Sequence, residues 1–189
     1  MGKKKYRVIL ADPPWSYRDK CAAGKRGVSF KYPCMSLAEI CRLGPQVTAL
    51  SDEQAWCFMW APTTHANEAQ MVLSAWGFRV LRQRAFTWVK TTKSGALAWG
   101  MGTLTRSNPE DVWCGMRGHP RRASAAVHSV ILAPRREHSR KPDEIYERIE
   151  ALCGDVPRVE LFSRCARPGW DQAISDQPDF FTSQQQQET

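Results

Sequence analysis

Apolar runs of strand length alternate with amphipathic stretches of helical period, and the connections between most of them are short. These features predict an α/β fold with a doubly wound sheet. At 189 residues the chain suits one domain with a sizeable core, and two domains would be cramped. The domain is expected over residues 1–176. Residues 177–189, which include SQQQQET, have the composition of a disordered tail.

The elements follow in order. RVILA at 7–11 is a buried strand, because an uninterrupted apolar run leaves no polar face for solvent. Ser36 and Glu39 form a capping box for a helix over 37–43. AWCFMWA at 55–61 is the next strand, and an amphipathic helix runs from Thr64 to a stop at Gly77. Strands are then expected at 85–90 (AFTWVK), 111–117 (DVWCGMR) and 126–134 (AVHSVILAP). The clearest helix is KPDEIYERIEALCG, with Pro142 in its first turn, acids beside it, Ile145, Ile149 and Leu152 on one face, and Gly154 at its end. A last strand is expected at 158–164 (RVELFSR). Two connections, 16–33 and 91–108, are too long for simple turns and are expected to be functional lids beside strand ends.

Lysine and arginine number 27 against 19 acids, a net charge of +8 that favours an anionic partner, nucleic acid first among them. The 7 cysteines form no CxxC pair, and the 4 histidines show no ligand-like spacing. Neither disulfides nor a metal site is therefore expected, and a reduced cytoplasmic thiol set is. The apolar run near the N-terminus is too short for a signal-peptide core or a membrane span.

The stretch richest in chemistry is Asp12-Pro13-Pro14-Trp15, immediately after the first strand. Two prolines remove two backbone donors and force the chain out of the sheet. They leave a stiff corner of acceptors, the Asp12 carboxylate and an unpaired Pro13 carbonyl, next to the aromatic plate of Trp15. In open α/β sheets ligands bind outside the carboxyl ends of strands, where this corner would sit.

Asp-Pro-Pro-Trp after a buried strand resembles the signature of the MTA-seventy-type N6-adenine methyltransferases. KYPCMS (31–36), FMWAP (58–62), FTWVK (86–90), SRKPDEIYERIEAL and RVELFSR follow in the same order, and the resemblance covers about residues 6–172. It implies a Rossmann-like methyltransferase domain in permuted order, with the catalytic strand near the N-terminus, that uses S-adenosylmethionine to methylate the N6 amine of adenine. DNA is the expected substrate because a small stand-alone chain resembles the bacterial and phage members. In that reading Asp12 and the Pro13 carbonyl each accept an N–H of the amine, Pro14 stiffens the corner, Trp15 and Tyr32 flank a flipped base, and Lys25 and Arg26 contact the strand. The resemblance also implies a cofactor site of Asp12, Lys141 for the methionine carboxylate, and Glu160 and Arg164 around the ribose. Gly100-Met101-Gly102 lacks the third glycine of a dinucleotide fingerprint, since position 105 is Thr, and is expected to be loop.

One segment departs from the family pattern. Where the relatives carry Gly-Asn-Glu or Gly-Asn-Gln after Gly-Trp, this chain has Ser175 in place of the asparagine, followed by Asp176. Asp176 can accept ribose hydroxyls, but the contacts are fewer, and the two expectations are that the cofactor binds weakly or that a second copy or a partner subunit completes its site. The alternatives are an RNA adenosine methyltransferase, a catalytically silent nucleic-acid-binding partner of the same fold, and cytosine N4 methylation. Silent relatives typically lose the Asp-Pro-Pro-Trp signature, and the cytosine enzymes more often carry Ser in the Asp position.

Overall fold

The computed structural model describes residues 4–16, 34–100, 104–136, 140–163 and 165–174. Strands β1 (Tyr6–Ala11), β2 (Ser51–Ala61), β3 (Arg79–Thr91), β4 (Glu110–Arg117), β5 (Val130–Pro134), β6 (Arg158–Leu161) and β7 (Asp171–Ala173) form one sheet. Its order is β5-β3-β4-β2-β1-β6-β7. Strand β4 is antiparallel to both neighbours, and the other pairings are parallel.

Helices cover both faces, and the alternation of side chains along β1 divides the core between them. Ile9 and Ala11 pack with Ile40 of α1 (Leu37–Arg42), Val47 of α2 (Gly44–Leu50) and Val72 and Leu73 of α3 (Ala66–Ala75). Val8 and Leu10 pack on the other face with Ile145, Ile149 and Cys153 of α4 (Glu144–Cys153). The expected α/β architecture is thus present, with helices on both faces of a sheet that is mixed rather than wholly parallel.

Strand β1 is an interior strand of this sheet. It pairs with β2 on one side and β6 on the other, both parallel. The chain leaving β1 returns at β2, whereas the chain leaving β6 returns at β7 on the far side. The β1/β6 boundary is therefore a topological switch point, where open α/β sheets form their ligand crevice at the carboxyl ends of the strands.

Several elements differ from the sequence expectation, each for a local reason. Strand β3 is longer than 85–90 because its first half is a polar edge-like segment with Arg79, Arg82 and Arg84 exposed, which no apolar run announces. Strand β5 begins only at Val130. Strand β6 stops at Leu161 because Phe162 turns into the left-handed region at φ 63°. Helix α2 was not expected: Gly44-Pro45 looks like a breaker, yet the proline occupies the first turn, where no N–H is needed. The capping box at Ser36 and Glu39 forms as expected, and Gly77 at φ 81° ends the α3 segment.

Candidate active site

The site begins where β1 ends. Without amide donors at Pro13 and Pro14 the ladder cannot continue, so Asp12 leaves the sheet at the mouth of the crevice. The corner is then pinned from several sides. The Trp15 amide donates to the Pro13 carbonyl at 2.8 Å, and the Met35 amide donates to the Pro14 carbonyl at 2.8 Å. The Trp15 indole N–H donates to the Trp60 carbonyl of β2 at 3.1 Å. The His65 ring lies 5.5 Å from that of Trp15, and its Nε2 is 3.3 Å from the Ser16 carbonyl.

Two expectations about the corner are corrected. The Pro13 carbonyl is not unpaired: it already accepts the Trp15 amide, which fixes its direction and leaves the second lone pair for a further donor. Trp15 is not an open aromatic plate. It is 5% exposed, within the core cluster of the α1–α3 face, because its indole reaches across to β2 and is held there. Its position suits anchoring the corner rather than stacking on a base.

Asp12 is joined to a line of alternating charges. Lys141, just before α4, donates to Asp12 Oδ2 at 2.9 Å and lies 3.5 Å from Glu110 Oε2. Lys90 donates to Glu110 Oε1 at 2.7 Å. The ammonium groups sit over tryptophan rings, Lys141 at 5.3 Å from the Trp60 centroid and Lys90 at 5.1 Å from that of Trp88, so a cation–π attraction supplements each ion pair. Burial pushes the Glu110 carboxyl up, but the Lys141 and Lys90 charges and their hydrogen bonds outweigh it and hold the carboxyl below its usual value.

Across the crevice, Glu160 pairs in register with Leu10 of β1. Its Oε1 accepts from the Tyr146 hydroxyl at 2.8 Å and its Oε2 from the Ser163 hydroxyl at 3.0 Å. Burial is the main influence on its carboxyl and the Asp12 charge adds to it. Together they raise it above the ordinary carboxylate value despite the hydrogen bonds. Arg167 lies over the Tyr146 ring at 3.9 Å and pairs with Asp143.

The structure therefore brings Asp12, Pro13, Pro14, Lys141 and Glu160 together at the carboxyl ends of β1 and β6, with Trp15 buried behind the corner. Lys25, Arg26, Tyr32, Arg164, Ser175 and Asp176 lie outside the described residues, as do most of the 16–33 connection and the tail. Glu110, Lys90 and Tyr146 were missed by the sequence reading. Lys90 and Glu110 border apolar strands, which is the one signal that could have found them. In the 91–108 connection, Gly100 is loop as expected. A Cβ on it would lie 1.3 Å from the Ser107 carbonyl oxygen, so this glycine serves a close approach of two loop segments.

Comparison with known proteins bears on this geometry. A Mycoplasma protein named type II methyltransferase M.MunI is 29% identical over 198 residues, covering 95% of this chain and 81% of that protein. A Drosophila melanogaster protein named N(6)-adenosine-methyltransferase MT-A70-like protein is 31% identical over 171 residues, covering 88% of this chain and 26% of that protein. The human N(6)-adenosine-methyltransferase catalytic subunit METTL3 is 28% identical, with 88% and 27% covered. The chain thus spans about a quarter of the length of these two animal proteins and about four fifths of the mycoplasma one. The model of the MT-A70 family matches residues 6–174, from the first residue of β1 to the residue after β7, and the chain belongs to that family.

Proposed function

We propose that this protein transfers a methyl group from S-adenosylmethionine to the N6 amine of adenine in nucleic acid, with DNA the favoured substrate, through a methyltransferase domain of permuted Rossmann type. The observation that carries the reading is the rigid acceptor corner at the switch point: the Asp12 carboxylate beside a Pro13 carbonyl whose direction the Trp15 amide fixes. An exocyclic adenine amine is a poor nucleophile because its lone pair is delocalised into the ring. Two acceptors, one for each N–H, draw the nitrogen towards tetrahedral geometry and return the lone pair to it. On methylation the nitrogen becomes cationic and gives up one N–H proton, for which Asp12 is the adjacent acceptor.

The residues present fit the cofactor. Glu160 already accepts two hydroxyl groups, the chemistry a ribose diol offers. Lys141 suits a carboxylate, and Asp12 together with Glu160 supplies negative charge for a cationic ligand. S-adenosylmethionine supplies an electrophilic sulfonium methyl and leaves as S-adenosylhomocysteine. The order of the strands supports the permuted reading, since the Asp12 strand comes first in the chain and the Glu160 strand, its neighbour in the sheet, comes late.

The preference for DNA rests on the mycoplasma relative, which the chain matches over most of its length, whereas the animal adenosine methyltransferases are matched over a quarter. RNA is the second reading. An intact Asp12-Pro13-Pro14-Trp15 argues against a silent partner subunit. The test is mass spectrometry of nucleosides after DNA and RNA are incubated with isotope-labelled S-adenosylmethionine. Labelled N6-methyladenine from DNA is expected. Label on cytosine, or on neither base, would overturn the assignment.

A further inference from the structure

A second feature lies on the β3 side of Asp12. A cavity of about 320 Å³ opens between the end of β2, the end of β3 and the loop that follows it, bounded by Pro62, Thr63, Lys90, Trp99, Asn108 and Glu110. Its size is at the small end of the range for ligand sites, roughly that of one nucleoside. Glu110, which lines it, is connected to Asp12 through Lys141, by contacts of 3.5 and 2.9 Å.

The rim is built rather than loose. The Ala98 amide donates to the Lys90 carbonyl at 2.9 Å. The Asn108 side-chain amide donates to the Lys90 carbonyl at 2.7 Å and to the Ala98 carbonyl at 2.5 Å, while its oxygen accepts the Lys90 amide at 2.9 Å. Arg135 donates to the Trp99 carbonyl at 3.2 Å. On this fixed backbone the Trp99 side chain is 73% exposed, with the Arg106 guanidinium 5.6 Å from its ring centroid. Exposing an indole to water is unfavourable, and a held backbone lowers the entropy lost when a partner covers it.

We propose that this cavity seats the nucleotide adjoining the target adenine, its base stacked on Trp99 and the neighbouring phosphates met by Arg106 and Arg135. That the nucleotide next to the seated one is a target adenine rests on the methyltransferase reading above. The chemistry favours a nucleic acid strand over a protein partner. Every base has a π face for an indole, arginine presents a fork of donors that matches phosphate, and the +8 chain already favours polyanions. The Glu110 carboxylate in the lining, paired with Lys90 and Lys141, disfavours phosphate beside it and leaves that part of the cavity to the base.

The test is fluorescence anisotropy of the full chain with labelled single-stranded oligonucleotides that carry one adenine, intact or with one abasic position on either side. Wild type, Trp99→Ala and Trp99→Phe are compared, with melting curves for each. In the wild type one flanking abasic position should weaken Kd roughly tenfold. Trp99→Ala should weaken the intact strand by a similar factor and no longer sense that position, and Trp99→Phe should fall between them, all at unchanged melting temperature. If Trp99→Ala binds the intact strand like wild type, the proposal is overturned. The same holds if Trp99→Ala changes the oligomeric state at unchanged affinity, which would make Trp99 part of a protein interface. Binding needs no turnover, so the two readings separate. Methylated adenine with a silent Trp99 removes this seat alone, and a Trp99-dependent affinity without methylated adenine keeps the stacking seat and removes the methyltransferase reading.

Discussion

The Lys141 ammonium bonds the Asp12 carboxylate at 2.9 Å, so the segment leading into α4 and the residue after β1 are locked together across 129 positions of sequence. This contact ties the α4 side of the sheet to the acceptor corner and helps to orient the Asp12 carboxylate. Replacing Asp12 by Ala should reduce methyl transfer by at least about a hundredfold, the order expected for a preorganised electrostatic group. Single-turnover rates with labelled cofactor measure this, and near wild-type turnover in Asp12→Ala would sink the mechanism.

Lys141 is shared between Asp12 and Glu110, and the cofactor's carboxylate would compete for the same ammonium. Lys141→Ala should therefore weaken S-adenosylmethionine and S-adenosylhomocysteine by similar factors, since both keep the methionine carboxylate. Its second effect is on Glu110, whose carboxyl should titrate higher once one of the two ammonium groups that lower it is gone. Calorimetry reads the first and carboxyl NMR the second. Unchanged affinity for both ligands would restrict Lys141 to orienting the two acids.

Trp15 is a structural prediction. With its ring in the core and its indole N–H on the Trp60 carbonyl, Trp15→Ala should cost about 3–5 kcal/mol of stability. Trp15→Phe keeps most of the apolar burial and loses mainly the hydrogen bond, about 1 kcal/mol. Denaturant unfolding of the two variants distinguishes this from a base-stacking role, for which Trp15→Ala would fold normally and only bind substrate poorly.

How much of this was legible in the sequence depends on whether the information is local. The end of β1 was legible because prolines act on their own backbone, and α4 because its apolar spacing, acids and Gly154 are all within one segment. Glu110 and Lys90 were not. They meet only because β4 runs against its neighbours, which brings its first residue to the same edge as the last residues of β3. No local pattern states the direction of a strand. The burial of Trp15 was not legible for a similar reason: an aromatic after a proline corner looks exposed until the distant partner, the end of β2, is known. The loop around Trp99 was recognised as more than a turn from its length, but Asn108, which closes it, has no sequence mark beyond preceding a proline.

Glu160 offers a test in which stability and binding move in opposite directions. Its carboxyl is raised in the folded protein, by burial first and by the Asp12 charge against the Tyr146 and Ser163 hydrogen bonds. A raised folded value means that the folded state is favoured when the group is protonated, and that this advantage is lost as pH rises through the folded pKa. At pH 7 the ionised carboxylate is thus a cost, which an amide of the same shape does not carry. Glu160→Gln should melt a few degrees above wild type at pH 7, with the gap narrowing as pH falls and closing only below about pH 4, where glutamate is protonated in both folded and unfolded chains. The same variant should bind S-adenosylhomocysteine more weakly, roughly tenfold, because an amide oxygen is a poorer acceptor for a ribose hydroxyl than a carboxylate. Scanning calorimetry at pH 4, 5 and 7, with and without the ligand, measures both effects. A variant that is less stable than wild type at pH 7 would mean that the hydrogen bonds from Tyr146 and Ser163 to the charged carboxylate outweigh its burial. A variant with unchanged ligand affinity would remove Glu160 from the cofactor site.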